Sequence, residues 1–379
     1  MESLKIAFFC WESLYTERVG GLARAATHLA EELAKEHEVH FFTRGAESCT
    51  INNVHYHCCL PQGANIVEYC RDMSLKLVGR FMEVDRGGEF DVIHFHDWHV
   101  VDALHELRDR RTVFTFHSTE YGRSGNRFGD WWEFREISGK EWYASLIAKK
   151  VTTVSGVLKN EVMWLYNVPD WKIEVIPNGI HPEEFSIEVD PGEVKKEYGI
   201  HPLAPLIFFA GRLVYQKGPD LLLEAIPKML EHRWDLKFLF AGDGDMRNYL
   251  ENRAREMNLP VKFLGYLPDK EFVRLLNSAD IVVIPSRNEP FGLVLLEAWS
   301  ARRCVVATDV GGLSENIENF YDGIKVYPNP DSIAWGVNYI VDDAEGVRLM
   351  GERGRKKVDE RFRWNVIADR MLKVYRNLV

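Results

Sequence analysis

The run Gly211-Arg212-Leu213-Val214-Tyr215-Gln216-Lys217-Gly218 sets two cations in a glycine-flanked turn. Arg212 closes a buried apolar stretch and Lys217 opens a helical pattern. Two fixed cations near a helix N-terminus suit a diphosphate, because a guanidinium offers a planar fork and an ammonium a point charge. Three further glycine turns follow candidate strands and open helical patterns: Gly20-Gly21, Gly292 and Gly311-Gly312. A tight turn alone accounts for any one of them. All of them at one end of the strands favour an anionic ligand, to which free backbone N–H groups at helix starts can point.

Glu289-Pro290-Phe291-Gly292 leads to Glu297, eight residues beyond Glu289. Paired carboxylates suggest glycosidase chemistry. Eight helical residues, however, rise about 12 Å, more than the roughly 5–9.5 Å between glycosidase carboxylates. The two read better as contacts to different parts of one long ligand. His94-Phe95-His96-Asp97-Trp98-His99 ends a strand. Its H-x-H-D-x-H order displaces the aspartate by one from the dinuclear hydrolytic H-x-H-x-D-H. No C-x-x-C or H-E-x-x-H accompanies it, so no metal is expected and hydrogen bonding to a sugar fits better. Residues 128–143 carry Phe128, Trp131, Trp132, Phe134, Trp142 and Tyr143. Aromatic faces stack on sugar rings, pack a core or form a subunit contact. Gly242-Asp243-Gly244-Asp245-Met246-Arg247 lacks the third glycine of the dinucleotide fingerprint, and there is no Walker A sequence, so NAD and ATPase readings weaken.

These residues stand at the ends of short β-branched or aromatic runs. The runs lie at 5–10, 39–43, 54–60, 91–96, 113–117, 151–154 and 173–177, then at 206–210, 237–241, 261–264, 281–285, 305–308 and 323–326. Several are continuously apolar, as strands of a parallel sheet covered on both faces are. Helical patterns alternate with them; over 20–36, Leu22, Ala26, Leu29 and Leu33 form one stripe. There are too many strands for one ordinary Rossmann sheet. The expected fold is α/β, with two doubly wound Rossmann-like domains facing across a cleft that holds the ligand at the carboxyl ends of the strands. Residues 181–205, with four prolines, read as a linker with one short helix at 193–198. Residues 331–379 are helical. The basic run 354–357 is followed by Asp359 and Glu360 and reads as a solvated helix face.

Composition bounds the function. The chain has 379 residues, 46% hydrophobic and 27% charged, with a net charge of -10. That describes a globular chain of two or three domains and argues against disorder, nucleic-acid binding or an electrostatic membrane anchor. No apolar run approaches the roughly 20 residues that span a bilayer, and 5–10 is too short for a signal core. The six cysteines form no C-x-x-C pair, consistent with reduced thiols in a cytoplasm.

Taken in order, these motifs resemble the retaining nucleotide-sugar glycosyltransferases of the glycogen/starch synthase group and the closely related family 4, both of GT-B fold. The marks are Gly20-Gly21, 94–99, His117-Ser118-Thr119-Glu120-Tyr121-Gly122-Arg123, Ile176-Pro177-Asn178-Gly179-Ile180, 211–218, Phe263-Leu264-Gly265-Tyr266-Leu267, Glu289 with Glu297, and Gly311-Gly312-Leu313. Residues 96–99 lean towards glycogen synthases. The compact length and Val19-Gly20-Gly21 lean towards family 4, since bacterial glycogen synthases carry lysine where Val19 stands; this leaves the donor base open.

The resemblance implies an acceptor-side N-terminal domain, 1–180, joined by a C-terminal crossover helix at 362–379, and a nucleotide-sugar-binding domain at 181–361. It implies that Arg212 and Lys217 bind the donor diphosphate, that Gly21, Gly292 and Leu293 offer N–H groups to phosphate, and that Glu297 holds the ribose. Glu289 and His117 would face the donor sugar, Asp97 would position sugar or acceptor, and Tyr266 and Leu267 would hold the base. No metal or other cofactor is implied. The expected reaction moves glucose from UDP- or ADP-glucose to an α-glucan. The alternative is another donor sugar with a small sugar, sugar phosphate or lipid-linked acceptor. A homo-oligomer is compatible with both. Rival readings are a metal-dependent hydrolase, a sugar-nucleotide epimerase and a two-lobed binding protein. A phosphorylase would need a lysine anchor for pyridoxal phosphate, and no convincing anchoring sequence is found.

Overall fold

The computed structural model describes residues 3–17 and 20–379. Val19, the residue on which the donor-base comparison turned, lies outside the described residues. The chain forms two compact units, Met1–Gly179 with Trp364–Val379, and Ile180–Arg363. Both are Rossmann-like α/β units.

The first unit holds β1 (Lys5–Phe9), β2 (Glu38–Arg44), β3 (Cys49–Ile51), β4 (Val54–Cys59), β5 (Val92–His96), β6 (Thr112–Phe116), β7 (Lys150–Thr153) and β8 (Ile173–Val175). Their order across the sheet is β3-β4-β2-β1-β5-β6-β7-β8. Every pairing is parallel except β3 with β4. The order reverses between β1 and β5, which makes that crevice the switch point where such sheets bind ligands. Both faces are covered. Ile6 and Phe8 pack with Ala26 and Leu29 of the helix Gly21–Leu33 and with Ile367 and Met371 of the helix Trp364–Arg376. Phe9 packs on Phe42, Phe95 and Phe81 on the other side.

The second unit holds β9 (Leu206–Ala210), β10 (Lys237–Ala241), β11 (Val261–Gly265), β12 (Ile281–Ile284), β13 (Cys304–Thr308) and β14 (Ile324–Val326), in the order β11-β10-β9-β12-β13-β14, all parallel. Its switch point lies between β9 and β12.

Two expectations change. The segment 181–205 is not a free linker. Phe185 and Val194 are buried, Asn277 Nδ2 donates to the Phe185 carbonyl at 2.8 Å, and Lys195 Nζ donates to Asp280 at 2.8 Å. Its prolines fix turns: Pro191 occupies the first turn of the helix Pro191–Glu197, capped by Asp190. The edge strand β3 was not anticipated. It is short, and its hairpin turns at Asn52 and Asn53, both with positive φ, as a two-residue hairpin turn requires. The basic run at 354–357 is a charge-paired helix face, with Arg355 on Asp359 at 2.9 Å and Lys357 on Asp322.

Candidate active site

In the second unit, residues from loops after β9 and β12 meet across the switch point. Lys217 Nζ donates to Glu289 Oε2 at 2.7 Å, and Ser286 Oγ lies 3.1 Å from the same oxygen. Arg212 is exposed beside them in sequence and pairs with no side chain among the described residues. The Tyr215–Lys217 turn is clamped from β12's loop. Arg287 holds both carboxylate oxygens of Asp220, at 2.8 and 2.6 Å, and lies 3.9 Å from the Tyr215 ring centroid. A planar fork can make both contacts at once.

Glycines bring the loops this close. Gly218 has φ 65°, and a Cβ there would fall 2.1 Å from the Pro285 carbonyl oxygen. Gly311 has φ 51°, and a Cβ would fall 1.9 Å from the backbone carbonyl oxygen of Glu289. The Gly312 N–H donates to that oxygen at 2.8 Å. This corrects one expectation: the Gly311-Gly312 pair offers no free N–H from Gly312 to an anion but seats the backbone that carries Glu289. Gly20 likewise donates to the buried Glu12 carboxylate at 2.9 Å. Gly211 and Gly218 donate to Ala241 and Tyr215 carbonyls. The N–H groups of Gly21, Gly292 and Leu293 find no acceptor among the described residues. Gly292 caps the helix Leu293–Ser300 with φ 97° and no side-chain cap. Because that helix starts only at Leu293, the step from Glu289 to Glu297 is half loop, and the 12 Å helical rise does not apply. Glu297 is buried in the helix.

Tyr266 and Leu267 follow β11, two strands from β9. Tyr266 is 71% exposed. The loops are nevertheless stitched edge to edge: Gly242 donates to Gly265 O at 2.7 Å, and Leu213 to Asp243 O at 2.9 Å.

In the first unit, Asp97 directly follows β5 with φ 58°, a strained conformation for a non-glycine residue and one that clusters at functional sites. Its Oδ1 accepts the backbone N–H of His117 at 2.8 Å. Burial pushes its carboxyl up to about 6, against the Arg123 charge and the N–H groups of His117 and Ser118. His117 Nε2 lies 3.0 Å from His96 Nδ1, so Nδ1 is the ring nitrogen left for a ligand. Burial pushes His117 down to about 3, so the ring is neutral. Arg123 binds Ser118 at 2.7 Å, Glu120 at 3.0 Å and Glu141 at 2.5 Å. Burial opposes its charge, but Glu141, Asp97 and Glu120 outweigh it.

His94 packs on His96, with ring centroids 4.1 Å apart, whereas His99 points elsewhere. His94 lies 2.7 Å from Tyr375 Oη and 2.6 Å from Thr115 Oγ1, and His99 stacks on Trp11. Among the described residues no group of three or more His, Cys, Asp or Glu is placed to hold a metal ion. No helix among them is long and apolar enough to cross a membrane. Sequence reasoning missed Glu12, the Arg287–Asp220 clamp and the Arg123–Glu141 pair. Arg123 stood in a quoted motif, but nothing in sequence marked Glu141 as its partner.

Residues 19–184 match Glycosyltransferase Family 4, and residues 192–357 match Glycosyl transferases group 1. An uncharacterised glycosyltransferase of Methanocaldococcus jannaschii is 39% identical, over 98% of both chains. The chain belongs to the GT-B glycosyltransferases. A glycogen synthase of Mycobacterium tuberculosis is 28% identical, covering 80% of this chain and 72% of that protein. The sucrose-phosphate synthase of Thermosynechococcus elongatus superposes with a TM-score of 0.82 at 22% identity, over 99% of each chain. As a GT-B glycosyltransferase, the enzyme moves a sugar from a nucleotide-sugar donor to a carbohydrate acceptor.

Proposed function

We propose that this glycosyltransferase moves glucose from UDP- or ADP-glucose to an α-glucan, with retained configuration and without a metal ion. The second unit is the donor domain and the first the acceptor-side domain. The observation that carries the donor assignment is the Lys217–Glu289 pair at the second unit's switch point, in the same turn as the unpaired Arg212. As the C1–O bond to phosphate breaks, charge develops on the diphosphate. Arg212 and Lys217 stabilise it, helped by the N–H groups of Gly292, Leu293 and Gly21. Preorganised charge of this kind is usually the largest catalytic term.

Glu289, held by Lys217 and Ser286, faces the oxocarbenium-like sugar and is not assigned as a nucleophile. Glu297 accepts from the ribose hydroxyls, and the exposed Tyr266 ring with Leu267 holds the base. His117 Nδ1 hydrogen-bonds the sugar. Asp97 acts through the His117 backbone it holds. The departing phosphate takes the acceptor proton on the same face, which retains configuration. The relative named a glycogen synthase supports the glucan acceptor.

The test is nucleoside diphosphate release from UDP-glucose and ADP-glucose under EDTA, with glycogen, with glucose 1-phosphate, or with neither. Release that needs glycogen supports the reading. Release that needs glucose 1-phosphate, or none with either donor, rejects the glucan assignment.

A further inference from the structure

The helix Trp132–Ile147 turns apolar residues to solvent. Its exposed positions are Trp132, Arg135, Glu136, Gly139, Trp142 and Leu146. Trp132 is 47% exposed, Trp142 50% and Leu146 59%. The face packed on the unit is already supplied by Phe134, Ile137 and Ala144. A surface helix ordinarily reserves its outer face for polar residues. Gly139 sits at mid-helix, where glycine costs about 1 kcal/mol relative to alanine. A Cβ built there meets nothing within 4 Å, so nothing in this chain's own packing requires glycine. Beside it lies a cavity of about 390 Å³ lined by residues including Asp102, His105, Arg135, Lys140 and Tyr143.

Apart from Arg135, whose counterpart Tyr143 is half-buried, the exposed positions are symmetric about Gly139. Trp132 stands seven residues before it and Leu146 seven after; Arg135 stands four before and Tyr143 four after; Glu136 stands three before and Trp142 three after. A two-fold contact needs such a self-complementary patch. We propose that this face joins a second copy of the chain, the two helices crossing antiparallel on a two-fold axis at Gly139. The glycines let the backbones approach. Trp132 then meets Leu146 of the second copy, and Arg135 lies over the Tyr143 ring of the second copy as a cation–π pair. Glu136 faces Trp142 of the second copy, whose indole N–H is a donor.

Charge points to the same occupant. Arg135 and Glu136 have no ion pair among the described residues, and Lys140 is paired with Asp102. The patch is balanced in a chain of net charge -10, so two copies meet there with least repulsion. Further exposed tryptophans flank both helix ends. Trp131, 47% exposed, precedes the helix. Trp171, 73% exposed, lies beyond the other end, where Lys172 Nζ donates to Leu146 O at 2.7 Å. Tryptophan is enriched at interface centres, and a stable pair buries roughly 800 Å² per partner.

Sedimentation of the full-length enzyme should show a monomer–dimer equilibrium within a range of about 1–200 μM, as micromolar self-association requires. The double variant Trp142→Lys with Leu146→Lys should sediment as a monomer with an unchanged melting temperature, since both side chains are exposed. Only a residue on the axis faces itself, so Gly139→Cys should form a covalent dimer when diamide takes up the two thiol hydrogens. A disulfide needs Cα atoms within about 7 Å. Lys149→Cys, off the axis, should not cross-link. A wild-type chain that stays monomeric throughout overturns the proposal. So does a dimer that survives the double variant, or one whose Gly139→Cys form does not cross-link.

Discussion

Asp97 Oδ1 accepts the backbone N–H of His117 at 2.8 Å, which couples a strained strand end to the residue proposed to present Nδ1 to the sugar. Burial raises the carboxyl to about 6 from its ordinary 3.8. Between those values the folded chain keeps a proton that the unfolded chain has lost, so Asp97 lowers stability progressively as pH rises from about 4 to about 6. Asp97→Asn keeps an acceptor for the His117 N–H and removes the charge. Its melting temperature should exceed the wild type's above pH 6 and match it below pH 4. A constant difference across that range would contradict the assignment.

The pH profile of activity offers a separate check. If the ionised Asp97 holds the His117 loop in its working position, kcat/KM falls as pH drops through about 6. That acid limb should be missing in Asp97→Asn. An unchanged limb would mean that another group sets it.

Gly311 and Gly312 seat the backbone of Glu289 and Phe291, where a Cβ would fall 1.9 and 2.5 Å from carbonyl oxygens. Gly311→Ala or Gly312→Ala should cost about 2–3 kcal/mol, the upper range of overpacking, and lower turnover at least tenfold by moving Glu289. Gly20→Ala is the contrast: φ is -157° and nothing lies within 4 Å of the added Cβ, so its melting temperature should barely move. Equal losses at Gly20 and Gly311 would undo the packing argument.

Both sheets were legible in sequence, because strands buried on both faces read as unbroken apolar runs. The run 281–284, Ile-Val-Val-Ile, is β12 with every residue buried. β3 was not legible, because three half-exposed residues at a sheet edge carry no such run. Arg212, Lys217 and Glu289 announced themselves by type and by neighbouring glycine. Which of them touch was hidden, since Lys217 and Glu289 lie 72 residues apart and only the strand order makes them neighbours. The glycine pair at 311–312 was visible, but its use was not. Spacing cannot tell a turn that binds an anion from one that admits another backbone.

Arg287 joins the two switch-point loops through Asp220 and the Tyr215 ring. Arg287→Lys keeps the charge and loses the fork and the stacking. It should cost about 1.5–3 kcal/mol, the scale of a lost charged hydrogen bond, and raise KM for the donor about tenfold, which is about 1.4 kcal/mol. A donor KM within twofold of wild type would show that the clamp does not hold Lys217.

In the proposed reaction Arg212 and Lys217 stabilise the charge of a leaving diphosphate. The most direct measurement is steady-state turnover of Arg212→Ala and Lys217→Ala at saturating nucleotide-sugar, with folding checked by melting. Each should lose at least about 100-fold in kcat, the size seen when a preorganised charge stabiliser is removed. Turnover near the wild-type value in both variants would contradict the donor site described here.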